Sequence, residues 1–264
     1  MANGLKVNLG CGSRTHPDWI NIDYSRVLKA KTLWPVRHLF HPSLPSGYIN
    51  HDLRNGIPLA GETVSVAFSS HLLEHFDRPV ALRFLRDVYR ILARGRIFRI
   101  VVPDLEAAAR SYTEALQAVR NDAQYALESH EWATINLLDQ MVRSKLGGEM
   151  APWLRQHKDS PVVRGMSGIY LDIAASQSPE APKGIRAMLA SLLRSDDPAV
   201  MGELHRWMYD EVSLRVALEQ AGFADIRRVS YDKSSIPHWS TFGFDCDSRG
   251  IPYMPDSLWM EAVK

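Results

Sequence analysis

Along the first hundred residues, short apolar runs alternate with a stretch repeating at helical spacing. Residues 6–9 are mostly apolar and end in glycine. Residues 19–23 and 49–53 are two more short runs, each carrying an acid at or near its end. Residues 64–69 are rich in β-branched side chains and predict a fourth strand. Asp77 with Pro79 marks a helix start, and Val80, Phe84, Leu85, Val88, Ile91 and Leu92 recur at helical spacing up to Gly95. Residues 97–102 form a fifth strand-like run, stopped by Pro103. Residues 26–48, rich in proline, histidine and aromatics, read as a long loop.

Beyond residue 103 the alternation stops. Residues 105–119, 132–146 and 182–193 read as helices, with a looser stretch around Gly147, Gly148, Pro152 and Pro161. Alternation resumes with a helix over 210–221, closed by Gly222, then strands over 224–230 and 258–263. The chain therefore reads as one domain, 1–264, holding a helical insertion or lid over 104–203. Its class is α/β, a mostly parallel sheet with helices on both faces.

Composition adds exclusions. A net charge of +1 in 264 residues argues against a dedicated nucleic-acid binder. No apolar stretch is long enough to span a bilayer, and no secretory-signal pattern is visible. Two cysteines without paired spacing, Cys11 and Cys246, suit a reducing compartment. A cytoplasmic protein is expected.

The chemistry begins at Gly10-Cys11-Gly12, where two close glycines let the backbone turn sharply and a ligand approach. Ligands of open parallel sheets sit outside the carboxyl ends of the strands, where this turn lies. Asp23 could accept from ribose hydroxyls and Asp52 from an adenine amino group; either could instead form a turn or cap a helix. A nicotinamide cofactor fits less well, because Thr15 takes the place of the third glycine and Asp23 comes early for the ribose acid.

Val7 to Gly12, Trp19 to Asp23, Ser69 to His75 and Arg99 to Asp104 resemble the successive motifs of class I S-adenosylmethionine-dependent methyltransferases, the small type 11-like group. Residues 205–211, Ala221-Gly222-Phe223 and residues 245–262 are similar to that group's closing elements. The resemblance covers 6–103 and 205–263, not the insertion. It implies a Rossmann-like seven-stranded sheet with an antiparallel last strand, and S-adenosylmethionine as cofactor. It places Gly10 and Gly12 at the methionine part, Asp23 at the ribose, Asp52 and Leu53 at the adenine, and Ser69 and Ser70 near the sulfonium. Asn8, Cys11 and Tyr24 join them as expected cofactor neighbours. The turn Ala93-Arg94-Gly95-Arg96 departs from the group's proline-glycine-glycine.

His71-Leu72-Leu73-Glu74-His75 admits several readings. If helical, it places His71 and His75 on one face, with Glu74 facing His71. Alone it matches an inverted zinc-peptidase motif, which its place after a strand disfavours. Similar methyltransferases that carry Glu-x-x-Glu-His here bind a divalent ion, but His71 in the first position puts that ligand set in doubt. A metal on His71, Glu74 and His75, with His205 or His130 as further donors, is therefore not favoured. The favoured reading is general-base catalysis by His71 or His75, oriented by Glu74; the plain alternative is that Glu74 and His75 brace the loop.

The insertion offers Tyr112, Tyr125, Trp132, Trp153 and Tyr170 as walls. Arg155, His157, Lys158 and Arg164 could meet acidic groups, or could be a solvated basic face. Trp153, Arg155, His205 and Trp207 are candidates for acceptor binding. The expected reaction is O-methylation of a hydroxylated small molecule or saccharide, with N-methylation of an amine and zinc hydrolysis as alternatives.

Overall fold

Seven strands form one sheet in the order β3-β2-β1-β4-β5-β7-β6. The computed structural model describes residues 4–24, 47–176 and 202–264. β1 (Leu5–Leu9), β2 (Ile20–Asp23), β3 (Tyr48–Asn50) and β4 (Val64–Ser70) run parallel. Helix α1 (Arg78–Ile91) leads into β5 (Leu92–Pro103), parallel to β4. β7 (Ser257–Val263) lies antiparallel between β5 and β6 (Ala224–Val229). This is the expected seven-stranded Rossmann-like sheet with its antiparallel last strand.

The core follows from the apolar pattern. Strand residues Val7, Leu9 and Ile22 are fully buried, as are Leu85, Val88 and Ile91 of α1, each worth about 1.5–3 kcal/mol of burial. α1 starts as expected, with the Asp77 carboxylate accepting from Val80 N–H. Its end is different. The helix stops at Ile91 and β5 begins at Leu92, with Gly95 inside the strand at φ +69°. Leu92 pairs with Val64 and Ile97 with Val66, so the intervening residues bulge outward.

Between β5 and residue 176 lie α2 (Leu105–Arg120), α3 (Ala126–Val142), α4 (Met150–Gln156), α5 (Pro161–Arg164) and α6 (Ile169–Ala175). α3 to α6 share a small core around Trp132, Met150, Trp153 and Leu154. α3 begins at Ala126 and ends at Val142, earlier at both ends than its periodicity suggests. Helix α7 (Glu211–Ala221) is closed by Gly222 at φ +105°. The helix expected over 182–193 lies outside the described residues, as does most of the 26–48 loop. Among the described residues, no helix is long and apolar enough to cross a membrane.

Candidate active site

The turn after β1 is pinned to the neighbouring strand, because Gly10 N–H and Cys11 N–H both donate to Ile22 O, at 2.8 and 3.3 Å. Gly10 and Gly12 have φ of +73° and +51°, the region that favours glycine. A Cβ on Gly10 would also stand 3.0 Å from the Leu72 side chain, whereas nothing lies within 4 Å of one on Gly12. Asp23 completes the turn: one carboxylate oxygen accepts from Gly12 N–H (2.5 Å), the other from Tyr24 N–H (2.6 Å). Each keeps a further lone pair for a ligand.

A cavity of about 370 Å³ opens here, lined by Gly10, Gly12, Asp23, Tyr24, Asp52 and Leu53, among others. Asp52 caps the short turn Leu53–Asn55 and grips the Arg54 guanidinium at 2.7–3.2 Å. The hydrogen-bonded Arg54 holds its carboxyl below the usual range. The cap alternative thus describes Asp52 directly, although it still faces the cavity.

Four expected cofactor neighbours do not line it. Asn8 is buried, and its amide donates to Arg14 O (2.8 Å) and Asn21 Oδ1 (3.3 Å), bracing the loop behind the turn. Cys11 is buried, and burial together with Asp23 pushes its thiol up to about 12. Ser69, buried in the middle of the sheet, and Ser70 line neither this cavity nor the next.

A second cavity, of about 330 Å³, lies between the strand ends and helices α2, α3, α4 and α6. Its polar wall includes Asn136, Tyr170 and Asp256, where Asp256 accepts from the Tyr170 hydroxyl (3.0 Å) and the Asn136 amide (3.1 Å). Glu203 pairs with Arg143 at 3.0 Å, and Asp104 with Arg228 at 2.7 Å. Asp256, Ser257 and Met254 are site residues that the sequence does not single out, since only the resemblance over 245–262 covers them. Among the expected acceptor residues only Arg155 lines this cavity. Trp153 is core, packed against Trp132 and stacked on His157. Trp207 is on the surface over Arg78, and His205 is buried elsewhere.

His71 lines both cavities. The segment is no α-helix: His71 sits at φ +50° and Leu73–His75 form one 3-10 turn. His71 Nε2 is 2.9 Å from Ser257 Oγ, which is 2.7 Å from Met254 O. The serine has one hydrogen to give. When the carbonyl receives it, Nε2–H donates to the serine; when the ring receives it, Nε2 is the acceptor. Nδ1 faces Glu74 Oε1 at 3.2 Å, in charge contact but without hydrogen-bond geometry.

Glu74 is completely buried. Burial alone would raise its pKa, but His71, with His75 and His205 beyond, outweighs that and holds the carboxyl well below its ordinary range. His75 Nδ1 donates to Leu204 O (3.0 Å), leaving Nε2 4.0 Å from Glu74 Oε1. His205 follows Leu204 and meets His75 ring to ring at 5.0 Å. Burial, with His75 and His71 adding and Glu74 opposing, pushes His205 down to about 4. That ring is neutral at neutral pH.

No protein-family profile and no curated protein matches the chain. Solved structures of methyltransferases do. An S-adenosylmethionine-dependent methyltransferase from Mesorhizobium loti is 16% identical, with 99% of this chain and 91% of that one aligned at a TM-score of 0.43. One from Thermotoga maritima, named as a possible histamine N-methyltransferase, is 12% identical over 100% and 84% of the chains, TM-score 0.42. Human N-acetylserotonin methyltransferase with its cofactor is 10% identical over 99% and 47%, TM-score 0.40. At such identities and scores the activities of these proteins do not carry over to this chain.

Proposed function

We propose that the chain is an S-adenosylmethionine-dependent methyltransferase acting on a hydroxyl of a small molecule, of which a saccharide is one kind. The observation that supports this most is that two cavities meet at one histidine, one behind a glycine turn and an acid, the other walled by hydrogen-bonding side chains. The first suits the cofactor. Gly12 leaves open space, Asp23 keeps a lone pair on each oxygen for ribose hydroxyls, and Leu53 offers an apolar wall for a base.

When bound, the cofactor supplies an electrophilic methyl group on a sulfonium. The chain's part is to align the acceptor and take its proton. With the Glu74 carboxylate facing Nδ1–H, His71 presents a lone pair at Nε2. The Ser257 hydroxyl can then give its hydrogen to Nε2 while accepting one from the acceptor hydroxyl. The insertion, 104–203, is read as the lid that walls the acceptor from water. The three carboxylates of the second cavity already hold partners, which favours a neutral, hydrogen-bonding acceptor over a cationic amine.

Calorimetric titration with S-adenosylhomocysteine tests the cofactor, and failure to bind would overturn the proposal. With an acceptor found by screening hydroxylated compounds, H71A and S257A should each lower turnover, H71A by about 10²–10⁴-fold. Their affinity for S-adenosylhomocysteine should stay near that of the parent. Unchanged turnover in a folded H71A protein would remove His71 as the base.

A further inference from the structure

Glu74 is the least satisfied group among the described residues. Its side chain is wholly buried, yet neither carboxylate oxygen meets a donor with hydrogen-bond geometry, the nearest being His71 Nδ1 at 3.2 Å. An uncompensated buried charge is strongly unfavourable. Beside it, His205 is 4% exposed and its Nδ1 is also buried without a partner. His75 provides the third donor. Its Nδ1 hydrogen goes to the Leu204 carbonyl, so in the neutral ring the Nε2 lone pair is free. One ligand atom from each of Glu74, His75 and His205 lies within 4.8 Å of the others.

We propose that Glu74, His75 and His205 bind one divalent transition-metal ion, zinc or a close relative. Two neutral imidazoles and a carboxylate are a zinc-type donor set with a fourth position for water or a substrate oxygen. Hard ions such as magnesium want more oxygen ligands. Ligand atoms about 2.0–2.1 Å from a tetrahedral ion stand about 3.3 Å apart. Binding therefore draws the three groups inward from their present spacing and places a divalent charge directly on the Glu74 carboxylate.

The surroundings are those of a built site. The His75 ring is oriented by a backbone carbonyl, the usual partner of a metal-bound histidine. Arg206 and Trp207 N–H groups both donate to Glu74 O, at 2.7 and 3.2 Å, so His205 is brought to Glu74 by its own neighbours. His71 stands behind the carboxylate at 3.2 Å, where it can orient a ligating oxygen. The ion would tie together segments 130 residues apart in the chain (205 − 75), beside the wall of the cofactor cavity that His75 lines.

The site is independent of the methyltransferase reading, because metal uptake is measured without cofactor or acceptor. Full-length protein stripped with a chelator is titrated with zinc, and with cobalt as a coloured reporter of coordination. One ion per chain is expected, with the absorption of a four-coordinate cobalt site. E74Q and H205Q should lose stoichiometric binding, whereas H71A should keep the stoichiometry and weaken affinity about 10–100-fold. H130A should bind as the parent does. If H205Q does not fold, as judged by circular dichroism, H75Q gives the same readout. No stoichiometric uptake by the parent would overturn the site, as would full binding by E74Q and H205Q, or tighter binding of magnesium than zinc. S-adenosylhomocysteine affinity, measured separately with and without chelator, keeps a failure of this site distinct from a failure of the cofactor reading.

Discussion

Two buried charge clusters differ in one respect, the completeness of their hydrogen bonds. Around Arg99, which is fully buried, every group has partners. Its guanidinium donates to Asp245 Oδ2 (2.9 Å), Glu261 Oε1 (2.9 Å) and the carbonyls of Ser230 and Lys233 (both 3.0 Å). Asp245 also accepts from the Trp239 and Trp259 indoles, and Glu261 from Ser234 and Ser235. Glu74 has a charge contact and no hydrogen bond. The first cluster is closed and ties β5, β7 and the 230–245 segment together. The second keeps its acceptors open, as a group reserved for a ligand would. Asp23 is intermediate in this respect, with one backbone donor and one remaining lone pair on each oxygen.

Breaking the closed cluster should have the largest effect. R99M removes the cation that is ion-paired with both Asp245 and Glu261, leaving two buried acids without that partner. A loss of about 3–5 kcal/mol in urea unfolding is expected. A loss below about 1 kcal/mol would mean that the cluster is not the tie it looks to be.

Asp23 comes next, and here binding changes more than folding. D23A removes the acceptor that fixes Gly12 N–H together with the lone pairs offered to ribose. Hydrogen bonds to a charged group are worth about 1.5–3 kcal/mol each. Affinity for S-adenosylhomocysteine should therefore fall at least about tenfold by calorimetry. An unchanged affinity would detach Asp23 from the cofactor.

What the sequence made legible follows the distance between partners. The turn at Gly10 and Gly12, the Asp23 acid and the Asp77 cap depend on neighbours within a dozen residues or on one adjacent strand, and local pattern reveals such features. Asp52 was ambiguous because a strand-end acid and a turn cap look alike; Arg54, two residues on, is what makes it a cap. Gly95 looked like a helix stop because a bulge inside a strand leaves the same glycine signature. Trp153 looked available until Trp132, on another helix, buried it. The Arg99 cluster was not legible, because its partners lie 130 or more residues away and only the fold brings them together; His205 and His130 were both on offer as donors beside Glu74, and only the fold picks out His205.

The smallest expected effect on stability is at Glu74, and it is the sharpest test of the comparison. In metal-free protein, E74Q removes a buried charge that accepts no hydrogen bond and leaves an amide of the same shape. It loses the charge contact with His71 and gains relief from desolvation, two effects of opposite sign. Metal-free E74Q should therefore unfold within about 1 kcal/mol of the metal-free parent, far from the R99M loss, although both remove a buried charge. With zinc present the two proteins should separate, because only the parent gains stability from ion binding to the folded state. A metal-free loss as large as that of R99M would show that Glu74 is a structural partner of His71, as closed as the Arg99 cluster. Parallel rises of both proteins with zinc would place the ion elsewhere.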